Sequence, residues 1–238
     1  MEENSNEKTG GKNWVAIVVV TAILLVAAAA YWYLEKGMGT TEPETPGSDT
    51  AAIIIDGYEI DRATVDRSIE QITGTYTTQG VDTSGAEAAA AIKEQAVTAL
   101  VNRQLMINAA TEAGVAATDE EVEAQFQVAL ENVGGQENLA SALAGIGMTE
   151  EELRADIKND VLINNYLEDK LGLAELSVSD EEVQTAYDAA AASNAEEVPP
   201  LADVAELIKN QLLLEKQQQA ISVELEKLRA EAEIEVLV

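Results

Sequence analysis

Residues 92–122, IKEQAVTALVNRQLMINAATEAGVAATDEEV, constrain the fold of this chain more than any other stretch. Apolar residues in the first part recur three and four positions apart, which is the spacing of one face of an α-helix. Gly114 follows at the position where a left-handed residue ends a helix at least cost. Thr118 with Glu121 three positions later forms a capping box, which marks the start of another helix. The stretch therefore predicts a long packed helix, a short link and a second helix.

The same start signal occurs three times in the second half of the chain. The pattern [ST]-[DE]-E-E-[VL] begins at Thr118, Thr149 and Ser179, with spacings of 31 and 30 residues. Acidic residues in a first turn also complement the helix dipole. The near-regular spacing allows a solenoid repeat. The other interpretation is three independent helices that begin with the same cap, because the residues after each cap differ.

A small β element is expected where the body begins. Residues 51–60, AAIIIDGYEI, combine a β-branched run with the turn signal Asp56-Gly57, which predicts a short strand, a turn and a second short strand. Asp61 can cap a helix that runs to about Thr73. Residues 74–85 are polar and are expected to form a loop.

The C-terminal part predicts one long helix and a closing strand. Residues 198–200, Val-Pro-Pro, break the chain, and residues 201 to about 231 then read as an unbroken helix. Its two apolar stripes are separated by a polar waist at 216–219, so the helix should project as an arm or bridge two packing regions. Residues 232–238 alternate as a half-buried strand does, and 53–55 are the obvious partner. The predicted fold class is mainly α, with a long C-terminal helix and a small β pairing between the N- and C-terminal strands of the body.

The N-terminal region contains a candidate transmembrane helix. Residues 14–34 are 21 residues without a charge, which is long enough to cross the hydrocarbon core of a bilayer. Aromatic residues flank the run at both ends, as in interfacial belts: Trp14, Tyr31, Trp32 and Tyr33. A cleaved signal peptide ending at 28–30 is the alternative. The length of the run and the second aromatic belt favour an uncleaved anchor.

Lys8 and Lys12 precede the apolar run, which places the N-terminus in the cytoplasm and the body outside the cell membrane. The predicted layout is a short cytoplasmic tail, a single-pass transmembrane anchor, a flexible linker rich in Gly, Thr and Pro, and a helical body: residues 1–13, 14–34, 35–50 and 51–238.

Composition excludes several classes of function. The chain has 14 basic and 44 acidic residues, a net charge of −30, which argues against nucleic acid or an anionic lipid surface as a partner of the body. It contains no Cys and no His, so thiolate, zinc-finger and histidine chemistry are excluded. No phosphate-loop spacing indicates a nucleotide site. The acidic clusters fall at helix starts, so we expect no enzyme activity, no metal and no cofactor.

Two leucine-rich positions are candidate binding surfaces. Leu105 and Met106, and the run Leu212, Leu213 and Leu214, widen the apolar faces of their helices beyond a simple stripe. They pack a core on two sides, or they form an exposed apolar surface that holds unfolded polypeptides.

Four segments in order resemble the N-terminal domain of the SurA-type periplasmic chaperones and of the membrane-anchored PrsA-like foldases. The most specific is ALVNRQLMINAATEAGVAATDEEV, which is similar to the family's helix and its following "[ST]-DEEV" start. The other three are IIIDGYEIDRATVDRSI, GMTEEELRADIKNDVLINNYLEDKL and LIKNQLLLEKQQQAISVELEKLRAEAEIEVLV.

One departure from the family changes the functional expectation. Its larger members insert a parvulin prolyl-isomerase domain before the closing helix, whereas here only residues 189–200 lie in that place. The resemblance therefore implies an ATP-independent chaperone module without isomerase activity, whose partners are unfolded or exported polypeptides. The alternatives are a scaffold or adaptor that docks to one envelope protein and, by family association alone, a prolyl isomerase.

Overall fold

Seven α-helices and one small sheet make up the residues that the computed structural model describes, 51–193 and 199–238. In chain order the elements are β1 (Ala51–Ile55), β2 (Tyr58–Asp61), α1 (Arg62–Thr78), α2 (Ala86–Glu112), α3 (Asp119–Asn132), α4 (Gln136–Gly145), α5 (Glu150–Asp169), a 3-10 turn (Leu173–Glu175), α6 (Asp180–Ser193), α7 (Leu201–Glu231) and β3 (Ile234–Val236). The predicted mainly α fold with a long C-terminal helix is confirmed for these residues.

The sheet joins the two ends of the body. Its order is β2-β1-β3, with both pairings antiparallel and Ile53 opposite Val236. Asp56 and Gly57 have φ angles of 51° and 84°, as a tight hairpin turn requires. The N–H of Asp56 also donates to the carbonyl of Glu233 at 3.0 Å. The predicted closure of the body by its terminal strand is therefore confirmed.

Helix α2 is the central packing element, as the opening stretch predicted. α1 and the sheet contact it, and so do α5 and α7. Its C-terminus is a Schellman motif, in which Gly114 has a φ of 70° and the N–H of Val115 donates to the carbonyl of Ala110 at 3.0 Å. Arg103 pairs with Asp160 and Asp156 of α5, so this charged side chain ties the two helices together.

All three predicted caps are present. The hydroxyls of Thr118, Thr149 and Ser179 accept hydrogen bonds from the N–H of the glutamate three residues later, at 3.2, 3.1 and 3.3 Å. The helices that follow do not stack as repeats: α3 packs on α5, α5 packs on α2, and α6 packs on α7. The structure therefore supports three independent helices rather than a solenoid.

Helix α1 is longer than the sequence predicted, because it continues through Gly74 to Thr78. The threonine hydroxyls of this last part donate to carbonyls four residues earlier, for example from Thr75 to Gln71 at 2.9 Å. The hydroxyl of Tyr76 also donates to Oε1 of Gln95 on α2 at 2.8 Å. Contact with α2 thus outweighs the weak helix propensity of this segment, and the loop is limited to residues 79–85.

The apolar side chains form three clusters. One lies between the sheet, α1 and α2; a second lies among α3, α4 and α5; a third joins α2, α5 and the second half of α7. Because α7 contacts α6 as well as α2, it bridges two packing regions, as its two apolar stripes predicted.

The predicted tail, anchor and linker, residues 1–50, lie outside the described residues, together with the aromatic residues expected at the membrane interface: Trp14, Tyr31, Trp32 and Tyr33. Within 51–193 and 199–238, no helix is both long and apolar enough to cross a membrane. The anchor therefore stays a prediction.

Candidate functional site

Leu105 and Met106 lie in the core. Leu105 is 2% exposed and packs with the sheet cluster, whereas Met106 is 4% exposed and packs against Ala110 and Tyr166. The widened apolar face of α2 is covered because the sheet packs on one side of this helix and α5 and α7 on the other. Of the two interpretations given for these residues, the structure therefore supports packing in the core and contradicts an exposed apolar surface.

Leu212, Leu213 and Leu214 are half-buried on α7, close to the polar waist of the helix. Each keeps part of its side chain accessible in the structure. A role of these three leucines in binding stays a prediction.

The first half of α7 forms a hairpin with α6, and we call α6 together with residues 201–216 the arm. Nζ of Lys216 donates to the carbonyl of Ser177 at 2.8 Å and pairs with Glu182 at 2.6 Å. The hydroxyl of Tyr187 donates to the carbonyl of Pro199 at 2.9 Å. The hydrogen bond from Lys216, followed by those from Ser179, lowers the pKa of Glu182 to about 2. The hairpin is therefore held at both ends.

An open groove of about 460 Å³ lies between α2 and the second half of α7. Thr98 and Asn102 line it on α2, and Ile221 and Leu225 give it apolar surface on α7. Arg229 also lines the groove, and its Nε donates to Oδ1 of Asn102 at 2.9 Å. The volume is in the range of ligand pockets and is large enough to accept several side chains of a polypeptide.

The apolar surface of this groove continues along α7 onto the arm. Leu207, Leu214, Ile221 and Leu225 are spaced seven, seven and four residues apart, so they lie on one face of the helix. Ile221 and Leu225 reach the third apolar cluster, whereas Leu207 is 71% exposed. We call these four residues the α7 stripe. At 1.5 Å per residue the stripe is about 27 Å long, which matches roughly eight residues of extended chain.

A buried hydrogen bond fixes α7 on α5. The hydroxyl of Tyr166 donates to Oε1 of Glu224 at 2.8 Å, and the two residues are 7% and 9% exposed. Nζ of Lys227 also lies 3.2 Å from that carboxylate. Burial, and then the hydrogen bond to Glu224, raise the pKa of Tyr166 to about 12, so the phenol stays protonated. The groove and the arm are therefore positioned by a specific polar contact as well as by apolar packing.

The surroundings of the site are acidic. Residues 51–238 contain 37 acidic and 11 basic side chains. Four cations of the described part form ion pairs within the chain: Arg103, Arg154, Lys216 and Lys227. Within that same part, no three acidic side chains are grouped so that they could hold a metal ion. The arrangement offers an apolar binding surface with a negative border.

Leu214 of the α7 stripe was predicted as a candidate binding residue, whereas Leu207 and the groove residues Thr98 and Asn102 were not. The two apolar stripes predicted for α7 contain Ile221 and Leu225 but neither Leu207 nor Leu214. The signal that could have found the stripe is the seven-residue spacing of Leu207, Leu214 and Ile221. Thr98 and Asn102 carry no such signal, because only the packing of α7 on α2 makes them part of a groove.

Comparisons with known proteins agree with this architecture. The profile of the SurA-like N-terminal domain matches residues 6–167, more than half of the chain. One similar structure comes from a study of two Campylobacter jejuni proteins. These are the virulence factor PEB4 and the periplasmic protein Cj1289, which are described there as structurally related SurA-like chaperones. The match has a TM-score of 0.50 and 14% identity and covers 79% of this chain and 99% of that chain, so it concerns the fold alone. A search of curated proteins finds no match. From the profile, the fold and the order of its segments, the chain belongs to the SurA-like N-terminal domain family.

Proposed function

We propose that this chain is a membrane-anchored, extracytoplasmic chaperone that binds unfolded or newly exported polypeptides without ATP and without isomerase activity. The observation that carries the proposal is the α7 stripe, which runs from the groove to Leu207 on the arm and is not covered along its outer part. Uncovered apolar surface bordered by polar residues is typical of a protein-binding site. The family and the SurA-like chaperone fold support the same function.

The geometry favours weak and reversible binding. A client segment would lay apolar side chains on Ile221 and Leu225 and continue along α7 toward Leu214 and Leu207. Because the groove is open and only about 460 Å³, it encloses a few side chains rather than a folded domain. The free energy gained from such contacts is only slightly larger than the entropic cost of ordering an unfolded segment on binding. Clients can therefore dissociate without an energy source.

Suppression of aggregation tests the proposed activity. The full chain, held in nanodiscs of uncharged lipid, is mixed with a protein that unfolds on reduction, and light scattering is followed. We expect less scattering at stoichiometric excess than with empty nanodiscs. An unchanged scattering curve contradicts chaperone activity, and real turnover in a peptide isomerisation assay contradicts the absence of isomerase activity. Crosslinking in cells that gives one dominant folded partner, instead of a diffuse client set, favours the adaptor alternative.

The anchor is tested separately. The uncharged run of residues 14–34, with Lys8 and Lys12 before it, supports a single pass with the body outside the cell membrane. We expect the chain to stay with membranes in alkaline carbonate, and protease added to intact spheroplasts to remove the body. Release of the chain by carbonate, or loss of its first residues in the mature protein, contradicts an uncleaved anchor.

A further inference from the structure

One carboxylate lines the groove, and helix spacing places two more beside it. Glu226 lines it on α7, and Glu215 lies seven residues before the groove residue Ser222 on the same face of that helix. On α2, Glu94 lies four residues before Thr98, one turn along the face that forms the other wall. All three glutamates are exposed, and none forms an ion pair with a described residue.

The cations near the groove offset only part of this negative charge. Lys216 is paired with Glu182 at 2.6 Å, and Lys227 is paired with Glu224 at 3.2 Å. Among the described residues that line the groove, Arg229 is the one cation, and its charge balances that of Glu226. Glu94 and Glu215 then leave the border of the groove with an excess of negative charge.

We propose that the groove selects unfolded segments in which lysine or arginine alternates with apolar side chains; this inference rests on the proposed chaperone function. Apolar side chains of such a segment contact Ile221 and Leu225, and its cations reach Glu94 and Glu226. Side chains of an extended segment point alternately to opposite sides, so an alternating sequence can satisfy the apolar floor and the acidic border together.

Charge favours a cationic client over two other possible occupants of the groove, a second copy of the chain and the chain's own residues 1–50. A second copy of the chain brings the same excess of acidic side chains, 37 against 11 in residues 51–238, and is repelled. Residues 1–50 of the chain itself contain seven acidic and three basic side chains, so they are not complementary either. A cationic client is attracted, and opposite potentials raise its rate of association as well as its affinity.

Peptide binding to the full chain tests the inference. Three labelled unfolded peptides share their apolar residues and carry lysine, glutamine or glutamate between them. Their affinities for the chain in nanodiscs of uncharged lipid are measured by fluorescence anisotropy at low and high salt. Because exposed ion pairs are individually weak, we expect the lysine peptide to bind about three- to tenfold more tightly than the glutamine peptide at low salt. The glutamate peptide should bind most weakly, and high salt should bring the three affinities together.

A matched pair of double variants separates the groove from overall charge. Glu94→Gln with Glu226→Gln should remove most of the preference for the lysine peptide over the glutamine peptide. Glu70→Gln with Glu137→Gln changes the net charge equally at exposed sites on α1 and α4, and it should keep the preference. Equal binding of the lysine and glutamine peptides, or equal loss in both variants, overturns the inference while the chaperone function stands. Failure of every peptide to bind overturns both.

Discussion

Tyr166→Phe should destabilise the attachment of α7 to the body. The substitution keeps the ring and removes the hydroxyl that donates to the carboxylate of Glu224 at 2.8 Å. Hydrogen bonds to charged groups contribute about 1.5–3 kcal/mol, and both residues are less than a tenth exposed. Lys227 still pairs with Glu224 in the variant, at 3.2 Å, but its side chain is 58% exposed and this pair is weak. We therefore expect the free energy of unfolding to fall by about 2 kcal/mol.

The same contact predicts a dependence on pH. The pKa of Tyr166 is raised to about 12 in the folded chain, from the ordinary value of 10.0, chiefly by burial and then by Glu224. The stabilisation is therefore complete below pH 10 and is lost as pH rises through 12, because the unfolded chain releases its proton first. Near pH 10.5 the difference between wild type and Tyr166→Phe should narrow by about 0.8 kcal/mol relative to pH 8.

Urea unfolding of the full chain in mild detergent, followed by far-UV circular dichroism, measures both effects. Tyr187→Phe is the matched control, because the hydroxyl of Tyr187 donates to the carbonyl of Pro199 at an exposed site. This substitution should lower the free energy of unfolding by less than about 0.5 kcal/mol. Equal losses in the two variants, or a difference in stability that does not narrow above pH 10, would show that the Tyr166–Glu224 hydrogen bond does not stabilise the fold in this way.

Three further predictions concern local features. Thr118→Ala removes the hydroxyl that accepts from the N–H of Glu121 and should lower the free energy of unfolding by about 1 kcal/mol in the same titration; no change would contradict its capping role. Gly114→Ala should also cost about 1 kcal/mol, from backbone strain alone, because φ is 70° and nothing lies within 4 Å of an added Cβ. In Lys216→Met the pKa of Glu182, measured by carboxyl NMR, should rise from about 2 toward its ordinary value. The stabilisation that comes from this lowered pKa is present above pH 4.5 and is lost as pH falls through 2. If Glu182 of the wild type titrated near its ordinary value, that result would contradict the contact with Lys216.

Most of the fold was predictable because its signals are local. The caps at Thr118, Thr149 and Ser179 each need only four residues of sequence, and the hairpin turn needs only Asp56 and Gly57. The closure of β3 on β1 followed from the alternation of apolar residues and from the lack of another partner. Where tertiary contact overrides propensity, prediction failed: α1 extends past Gly74 because its last turns pack on α2.

The site was less predictable than the fold. Leu105 and Met106 carry the same apolar signal whether a neighbour covers them or not, and only the packing of the sheet, α5 and α7 decides that they are buried. The opposite outcome holds for Leu207, which nothing in the sequence distinguishes from a core leucine and which is exposed in the folded chain. Exposure of an apolar side chain is a property of the assembled helices, which explains why a sequence pattern alone does not separate core from binding surface.

The proposed binding of unfolded clients to the α7 stripe can be tested with one pair of variants. Leu207 is 71% exposed on the stripe, and Val223 is 59% exposed on the opposite face of the same helix. Full burial of a leucine is worth about 1.5–3 kcal/mol, so a client can gain about 1–2 kcal/mol from Leu207. We predict that Leu207→Ser weakens the binding of an unfolded peptide to the full chain about 5- to 30-fold, whereas Val223→Ser leaves it unchanged. Unchanged affinity in both variants, or equal loss in both, would contradict client binding on the α7 stripe.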